Sequence, residues 1–226
     1  MSRVTVARKK QFLAGPAGRL EALLEYPRHT RPVATAVVCH PHPQYEGSMN
    51  NKVAYTLARA AVEAGAAALR FNFRGVGESD GEWGQGRGEL ADFFAAERWL
   101  EERHRADGPA LPRWRLGFSF GAAIVIAASL ETPCARLVTV APPADHFDDY
   151  GLDTKAEPRR RQWLLVQGTN DEVVPAEAVM SWARALEDPP EIAAFDGVGH
   201  YFHGQLTELR ARVIASLAQH EGKEDR

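Results

Sequence analysis

The stretch Arg113–Leu130, RWRLGFSFGAAIVIAASL, joins a short strand-like run to a helix-like run through two closely spaced glycines. Ser119 stands between Gly117 and Gly121, in the pattern Gly-x-Ser-x-Gly. Between a strand and a helix, this pattern predicts a sharp turn that presents the serine hydroxyl, with glycines that keep side chains out of the crowded turn. The helix start would also place backbone N–H groups and a positive dipole end beside the serine. A small-residue turn without chemistry has the same pattern, so the rest of the chain must decide.

Strand-like and helix-like segments alternate along most of the chain on both sides of this stretch. Helix-like segments of ten or more residues between apolar strands predict a mostly parallel sheet covered by helices on both faces. Gly15–Gly18 predicts a hairpin turn, which adds antiparallel strands at one edge. The predicted strands are Val4–Phe12, Arg19–Tyr26, Val33–Cys39, Ala66–Phe73, Arg113–Phe118, Arg136–Ala141, Trp163–Gln167 and Glu191–Phe195. The predicted helices are Asn51–Ala64, Gly88–Arg105, Phe120–Leu130, Ala176–Leu186 and Phe202–Gln219.

Length and composition exclude several classes of protein. The chain has 226 residues, of which 45% are hydrophobic and 25% charged, as in a soluble globular protein with a sizeable core. No repeat, linker or low-complexity tract divides it, so we expect one domain over residues 1–226. A net charge of −3 gives no overall field that would attract nucleic acid or an anionic membrane. Two isolated cysteines and the lack of a signal-peptide core or bilayer-spanning run predict a cytoplasmic monomer or homodimer.

The partners that a reactive serine needs follow it in the chain. A serine hydroxyl becomes a good nucleophile when a base takes its proton and an acid orients that base. In this architecture the order is serine, acid, histidine, each after its own strand. Asp171 and His200 occupy these places, so Ser119, Asp171 and His200 are the predicted catalytic residues. Glu172 and His203 are the alternative acid and base. Each of the three residues taken alone could belong to an ordinary turn. Their occurrence in this order, each after its own strand, favours catalysis.

These motifs together resemble the α/β-hydrolases, and within them the small group without a large cap that is related to carboxylesterases and dienelactone hydrolases. The narrower marker is His40-Pro41-His42-Pro43 after the third strand, and Arg70–Ser79, Gly168–Asp171 and Gly199–Phe202 also match. The resemblance implies an α/β-hydrolase fold with an eight-stranded, mostly parallel sheet and no large cap domain. It also implies acyl transfer to water through an acyl-enzyme, which needs no cofactor.

Two backbone N–H groups are predicted to form an oxyanion hole. One is that of Phe120, directly after the serine. The other should come from the loop after the third strand, where Pro41 and Pro43 have no N–H to give. By position relative to the His-Gly-x loop that is usual in the family, whose glycine is replaced here by Pro41, the resemblance implies His42 as the second donor, with Gln44 as the alternative. Because the two prolines stiffen the loop, we expect this donor to be preorganised.

Cofactor motifs are weak in this sequence. His40 and His42 are two residues apart, which suits a metal site, but no carboxylate or cysteine follows at ligand spacing, so we expect no metal. The loop Gly75–Gly81 departs from the dinucleotide-binding pattern, because Asp80 stands where the third glycine belongs. We therefore expect no nucleotide cofactor.

Aromatic residues near the predicted catalytic loops suggest the kind of substrate. Tyr45, Trp83 and Tyr201 are expected to contact it, whereas Phe118 and Phe202 are expected to pack in the core. An apolar pocket favours small or short-chain carboxylic esters that carry no charge. The long connection Pro142–Arg161 stands where a cap would be and is a candidate mobile lid. Thioesterase, amidase, peptidase and dienelactone-type activities are alternatives, as is an inactive scaffold that binds a ligand.

Overall fold

A computed structural model describes residues 5–105, 108–151 and 157–219 of the chain. The strands are β1 Val6–Gly15, β2 Gly18–Pro27, β3 Thr35–Cys39, β4 Ala67–Phe71, β5 Arg113–Phe118, β6 Cys134–Val140, β7 Arg160–Gly168 and β8 Glu191–Phe195. The helices are α1 Lys52–Glu63, α2 Arg87–Arg105, α3 Phe120–Glu131, α4 Ala176–Arg184 and α5 Leu206–Leu217. All eight strands form one sheet in the order β1-β2-β4-β3-β5-β6-β7-β8. Strands β3 to β8 pair in parallel, and the hairpin of β1 and β2 joins β4 in antiparallel pairing.

The central strands of the sheet are buried on both faces, as is usual for parallel strands between crossover helices. Val37 and Leu137 belong to a core that includes residues of α2 and α3. Their chain neighbours Val38 and Val138 belong to the opposite core, with residues of α1 and α5. Helix α4 packs against β7. This arrangement leaves the carboxyl ends of the parallel strands as one edge at which loops can meet.

The predicted fold class is confirmed, with an eight-stranded, mostly parallel sheet and no large cap domain in the described residues. Strands β5 and β8 have the predicted bounds. The predicted start of the last helix is wrong, because Phe202 and Gly204 have φ angles of 53° and 78°, which a right-handed helix does not accommodate. Strand β7 begins at Arg160, so the connection after β6 is slightly shorter than predicted. The remaining differences are confined to the ends of elements.

A buried ion pair joins the strand that leads to Ser119 to helix α2. Arg115 in β5 is fully buried. Its Nε and Nη2 donate to the two carboxylate oxygens of Glu97 at 2.8 and 2.7 Å. Its remaining N–H groups donate to the carbonyl and hydroxyl oxygens of Thr132, at 2.8 and 2.6 Å, and to Ser129 Oγ at 3.3 Å. Strand β5 is therefore fixed to α2 and to the end of α3.

Removing the Glu97 carboxylate should strongly destabilise the protein. In Glu97→Ala the Arg115 guanidinium stays buried without its counter-charge, which costs about 3–5 kcal/mol of unfolding free energy. Urea unfolding at neutral pH measures the loss. Glu101→Ala is the matched control, because Glu101 pairs with Arg113 at a partly exposed place between the same two elements. That control should lose only about 0–1 kcal/mol, and equal losses in the two variants would contradict the prediction.

Candidate active site

Ser119 lies at a strained turn between β5 and α3. Its φ and ψ are 55° and −123°, a region that residues with a side chain seldom adopt. The Ser119 N–H donates to the Val140 carbonyl of the neighbouring strand at 2.8 Å, and the Ser119 carbonyl accepts from Ala122 N–H at 2.8 Å. These bonds hold the strained backbone between the sheet and the first turn of α3. The hydroxyl is thereby presented at the carboxyl end of β5.

The loop after β3 lies against the beginning of α3 because residue 121 is glycine. A Cβ atom at Gly121 would come within 2.5 Å of the Cys39 carbonyl oxygen and 2.6 Å of the His40 carbonyl oxygen. Any side chain at this position would push the two segments apart. The close approach therefore brings the 40–47 loop beside Ser119.

Ser119, His200 and Asp171 form a continuous chain of hydrogen bonds. The His200 Nε2 lies 3.1 Å from the Ser119 Oγ. The His200 Nδ1 lies 2.9 and 3.1 Å from the two carboxylate oxygens of Asp171. Because an ionised carboxylate can only accept, Nδ1 carries the ring proton and Nε2 is left to accept from the serine hydroxyl. The structure thus brings together all three predicted residues in the arrangement that proton transfer from the serine requires.

Asp171 is held as an anion although its side chain is fully buried. Burial would raise the pKa of Asp171, but hydrogen bonds from the His200 ring and from the Val174 and Val173 N–H groups outweigh it, so that this pKa lies below its usual value. The two backbone N–H groups lie 2.8 and 2.9 Å from Oδ1. Gln167 Nε2 donates to Oδ2 at 3.1 Å. The negative charge that orients the imidazole is therefore fully hydrogen-bonded.

The two alternative residues lie elsewhere. The Glu172 carboxylate accepts from the backbone N–H of His200 at 3.3 Å, so it supports the loop rather than the ring. His203 is exposed, and its ring packs against Tyr201 at 6.0 Å between centroids. Neither side chain takes part in the chain of hydrogen bonds that ends at Ser119.

The predicted oxyanion donors are both available. Within the described residues, neither the His42 N–H nor the Phe120 N–H has a protein acceptor, and Phe120 is the first residue of α3, where no intrahelical partner exists. The alternative donor is already engaged, since the Gln44 N–H donates to His42 Nδ1 at 3.2 Å. The His42 carbonyl accepts from the Tyr45 and Gly47 N–H groups, both at 3.1 Å, which closes the loop on itself.

His40 anchors this loop from below. Its ring is fully buried, Nδ1 donates to the Pro41 carbonyl at 2.6 Å, and Nε2 accepts from the Phe73 N–H at 3.1 Å. Both ring nitrogens are thus used by the backbone. Burial lowers the pKa of His40 to about 4, so the ring is neutral near pH 7. His40, one of the two histidines whose spacing suits a metal site, thus holds the loop after β3 to the chain segment that follows β4.

The predicted substrate contacts lie on two sides of Ser119. Tyr45 and Trp83 pack against the His42 ring, with centroids 4.8 and 4.5 Å away. Tyr201 packs against His200 at 5.1 Å and is 41% exposed. Phe118 and Phe202, which were expected to be core residues, are fully buried.

Known proteins resemble this chain in fold and in sequence. An α/β serine hydrolase homologue from Coxiella burnetii is 38% identical, with 93% of this chain and 97% of that chain covered and a TM-score of 0.85. An α/β serine hydrolase without lid from Xanthomonas campestris is 35% identical, with 93% of each chain covered and a TM-score of 0.84. A monoacylglycerol lipase from Mycolicibacterium smegmatis is 26% identical over 96% of this chain and 73% of its own length. No family model matches the chain.

The chain belongs to the α/β serine hydrolases. The predicted resemblance is thereby confirmed. In this hydrolase Arg74, which follows β4, forms a two-point ion pair with Asp92, at 2.9 and 2.7 Å, and is not available as a substrate clamp. Among residues 5–105, 108–151 and 157–219, no group of three metal-ligating side chains could hold an ion, and no helix is long and apolar enough to cross a membrane.

Tyr150 is the site residue that the sequence did not identify. It lies in the connection after β6, and its ring packs against those of Phe120 and His42 at 5.0 and 5.5 Å. The one sequence signal for Tyr150 was that its connection begins at the carboxyl end of β6, the edge of the sheet where the other site loops lie. The part of the predicted lid at residues 152–156 lies outside the described residues.

The buried His40 should make the stability of the hydrolase fall at acidic pH. An unfolded chain protonates His40 near pH 6.5, whereas the folded protein does so near pH 4. Between these values the unfolded state binds more protons. The contribution is therefore complete above pH 6.5 and is lost as pH falls toward 4, by up to roughly 3 kcal/mol.

Urea unfolding at pH 7 and pH 4.5 tests this contribution. His40→Gln keeps an acceptor for the Phe73 N–H but cannot titrate, so its stability should fall less between the two pH values than that of the wild type. His29→Gln, at an exposed position, should keep the wild-type dependence. Identical pH dependence in His40→Gln and the wild type would show that the buried ring does not supply it.

Proposed function

We propose that this hydrolase cleaves small, neutral carboxylic esters through a covalent acyl-enzyme. The observation that carries the proposal is the hydrogen-bond chain from the buried Asp171 carboxylate through the His200 ring to the Ser119 hydroxyl. In a merely structural role a serine would not need to occupy a strained backbone conformation beside an imidazole that a carboxylate orients. The geometry supports Ser119 as nucleophile, His200 as general base and Asp171 as the group that orients it.

The proposed reaction proceeds in two halves. Ser119 Oγ attacks the ester carbonyl carbon while its proton passes to His200 Nε2, and the carbonyl oxygen becomes an oxyanion bound by the Phe120 and His42 N–H groups. His200 then gives the proton to the leaving alcohol oxygen, and the C–O bond to that oxygen breaks. Water attacks the acyl-enzyme in the same way and releases the acid and free Ser119. Each preorganised oxyanion donor contributes about 10²–10³ in rate.

Several features favour neutral oxygen esters among the possible substrates. The rings of Tyr45, Trp83 and Tyr201 offer apolar contacts to substrate, and the engagement of Arg74 by Asp92 removes the obvious partner for a substrate carboxylate. Dienelactone-type substrates, which carry such a carboxylate, are therefore less suited. The relation to a monoacylglycerol lipase favours oxygen esters over thioesters and amides. A cytoplasmic location and a monomeric or homodimeric state remain predictions.

Reaction with a fluorophosphonate probe tests the proposed nucleophile. An alkyl fluorophosphonate should form one adduct on Ser119, because only an activated serine reacts readily. Intact-mass and peptide analysis locates the adduct. Ser119→Ala should give none, and His200→Ala should react far more slowly. An inactive binding scaffold would leave the wild type unlabelled, and an adduct on another residue would remove the assignment.

The two neighbouring carboxylates should differ sharply in their effect on turnover. Asp171→Asn would favour the wrong imidazole tautomer and should lower kcat on p-nitrophenyl acetate by about 10⁴. Glu172→Gln keeps an oxygen acceptor for the backbone N–H of His200 and loses only the negative charge. Its kcat should therefore change by less than about tenfold. Steady-state kinetics compares the matched pair. Comparable losses in both variants would contradict the assignment of Asp171 as the orienting acid.

A further inference from the structure

A group of aromatic rings surrounds the His42 imidazole on one side of Ser119. The rings of Trp83, Tyr45 and Tyr150 lie 4.5, 4.8 and 5.5 Å from that of His42, centroid to centroid. We call these four side chains the acyl wall. Tyr45 is 77% exposed, and the other three are half-buried, so each keeps surface that a ligand can contact.

The acyl wall packs against residues of the proposed oxyanion hole. The Phe120 ring, buried behind the wall, packs against His42, Trp83 and Tyr150 at 5.0, 5.2 and 5.0 Å. Phe120 and His42 are also the residues whose N–H groups are proposed to bind the carbonyl oxygen. A substrate carbonyl held by these groups therefore lies next to the wall.

The wall faces the acyl side of the substrate rather than the alcohol side. The leaving oxygen must stay within reach of His200 Nε2 to receive its proton. The rings that pack against His200 are those of Phe118 and Tyr201, at 4.9 and 5.1 Å, and neither belongs to the wall. Since the nucleophile and the leaving group occupy the His200 side, the remaining substituent of the carbonyl carbon is the one that lies along the wall.

The wall is fixed by contacts outside it. The Glu89 carboxylate accepts from the Gly84 and Gly86 N–H groups, both at 2.8 Å, and so holds the loop that carries Trp83. A Cβ atom at Gly86, whose φ is 82°, would lie 2.3 Å from the Tyr150 carbonyl oxygen. The Tyr150 segment therefore rests directly on the Trp83 loop. The rings are held in place before any ligand arrives, which lowers the entropy that binding must overcome.

The surroundings of the wall disfavour an anionic ligand. Burial raises the pKa of Tyr150, and electrostatic interaction with Asp149, Tyr45 and Asp145 raises it further. Asp149 directly precedes Tyr150 in the chain, so this segment carries acidic side chains. Asp148 adjoins them in the chain, and Arg87 contacts the same segment through the Gly151 carbonyl. The His42 ring is neutral, because burial lowers its pKa and because Nδ1 carries no proton where it accepts from the Gln44 N–H.

We propose that the substrate of this hydrolase is an ester of an uncharged aromatic carboxylic acid, whose ring lies against Trp83, Tyr150 and His42. Planar rings gain from edge and offset contacts with other rings beyond what their apolar area supplies, whereas a flexible alkyl chain does not. The neutral His42 has its proton on Nε2, where the described residues provide no acceptor, so it can donate to a polar substituent of that ring. This inference rests on the proposed function and specifies its acyl group.

Paired substrates that share one leaving group test the acyl preference. The kcat/KM for p-nitrophenyl benzoate and p-nitrophenyl hexanoate, each divided by its rate with hydroxide, should favour the benzoate by roughly tenfold. Trp83→Leu and Tyr150→Leu should each lower that ratio by about 2- to 10-fold, mainly through KM. Trp83→Phe should retain most of it, because a ring remains. A normalised ratio of one or less in the wild type would overturn the proposal.

A matched control separates the wall from general effects of losing a ring. Phe12→Leu removes an aromatic side chain of 44% exposure on β1 that makes no ring contact with the acyl wall, and should leave the ratio unchanged. If Phe12→Leu moved the ratio as far as the wall variants do, or if the wall variants left it unchanged, the wall would not be the cause.

Two readouts distinguish failure of the acyl inference from failure of the proposed chemistry. Labelling of Ser119 by an alkyl fluorophosphonate reports the nucleophile alone, so labelling without benzoate preference overturns only the acyl inference. If Ser119 were not labelled, ligand binding to Ser119→Ala would still test the wall. The change in Trp83 fluorescence on adding the ester measures the binding, and Ser119→Ala/Trp83→Leu provides the background signal. Tighter binding of methyl benzoate than of methyl hexanoate would support the wall, and equal binding would refute it.

Discussion

The close contact between the end of β3 and the beginning of α3 is the constraint on which the candidate site depends. At Gly121 the carbonyl oxygens of Cys39 and His40 occupy the space that a side chain would need. This approach brings the loop of His42 against the helix that begins at Phe120, so that the two N–H groups proposed to bind an oxyanion come from segments far apart in sequence. The strained Ser119 backbone is the other half of the contact, since the hydrogen bond to Val140 fixes the turn against the sheet. Strain and close packing are thus concentrated where the two elements of the candidate site meet.

Several buried ionisable groups around the site are paired locally, which shapes what the site can bind. His40 is neutral and bonded to backbone at both nitrogens, and the charged groups of Arg74 and Arg115 are matched by Asp92 and Glu97. Each arrangement avoids the cost of an unpaired buried group. The consequence is that these arginines support loops and helices rather than a ligand. This pairing supports the proposal of an uncharged substrate.

How far the sequence predicts this protein depends on whether a feature is local. Ser119, Asp171 and His200 each follow a strand whose apolar run is visible in the sequence, so their meeting at one edge follows from the parallel sheet. Tyr150 could not be found in this way, because its contacts depend on how a long connection without periodicity folds back onto the loop before α2. The role of His40 was hidden for a similar reason, since its partner at Phe73 belongs to another strand connection. The start of α5 was misjudged because the positive φ of Phe202 has no signature in residue type.

The two aromatic groups on either side of Ser119 have different relations to its chemistry. Phe118 and Tyr201 flank His200 and help exclude water from a ring that is only 2% exposed. In these water-poor surroundings the hydrogen bond from the His200 ring to Asp171 is stronger than it would be in water. A carboxylate without hydrogen-bond donors would also cost more free energy there. The donors supplied by Val173, Val174 and Gln167 resolve this conflict by keeping Asp171 ionised. The acyl wall lies outside this chain of hydrogen bonds, so under the proposed function its rings would provide contact surface, and changes in selectivity there would not disturb proton transfer.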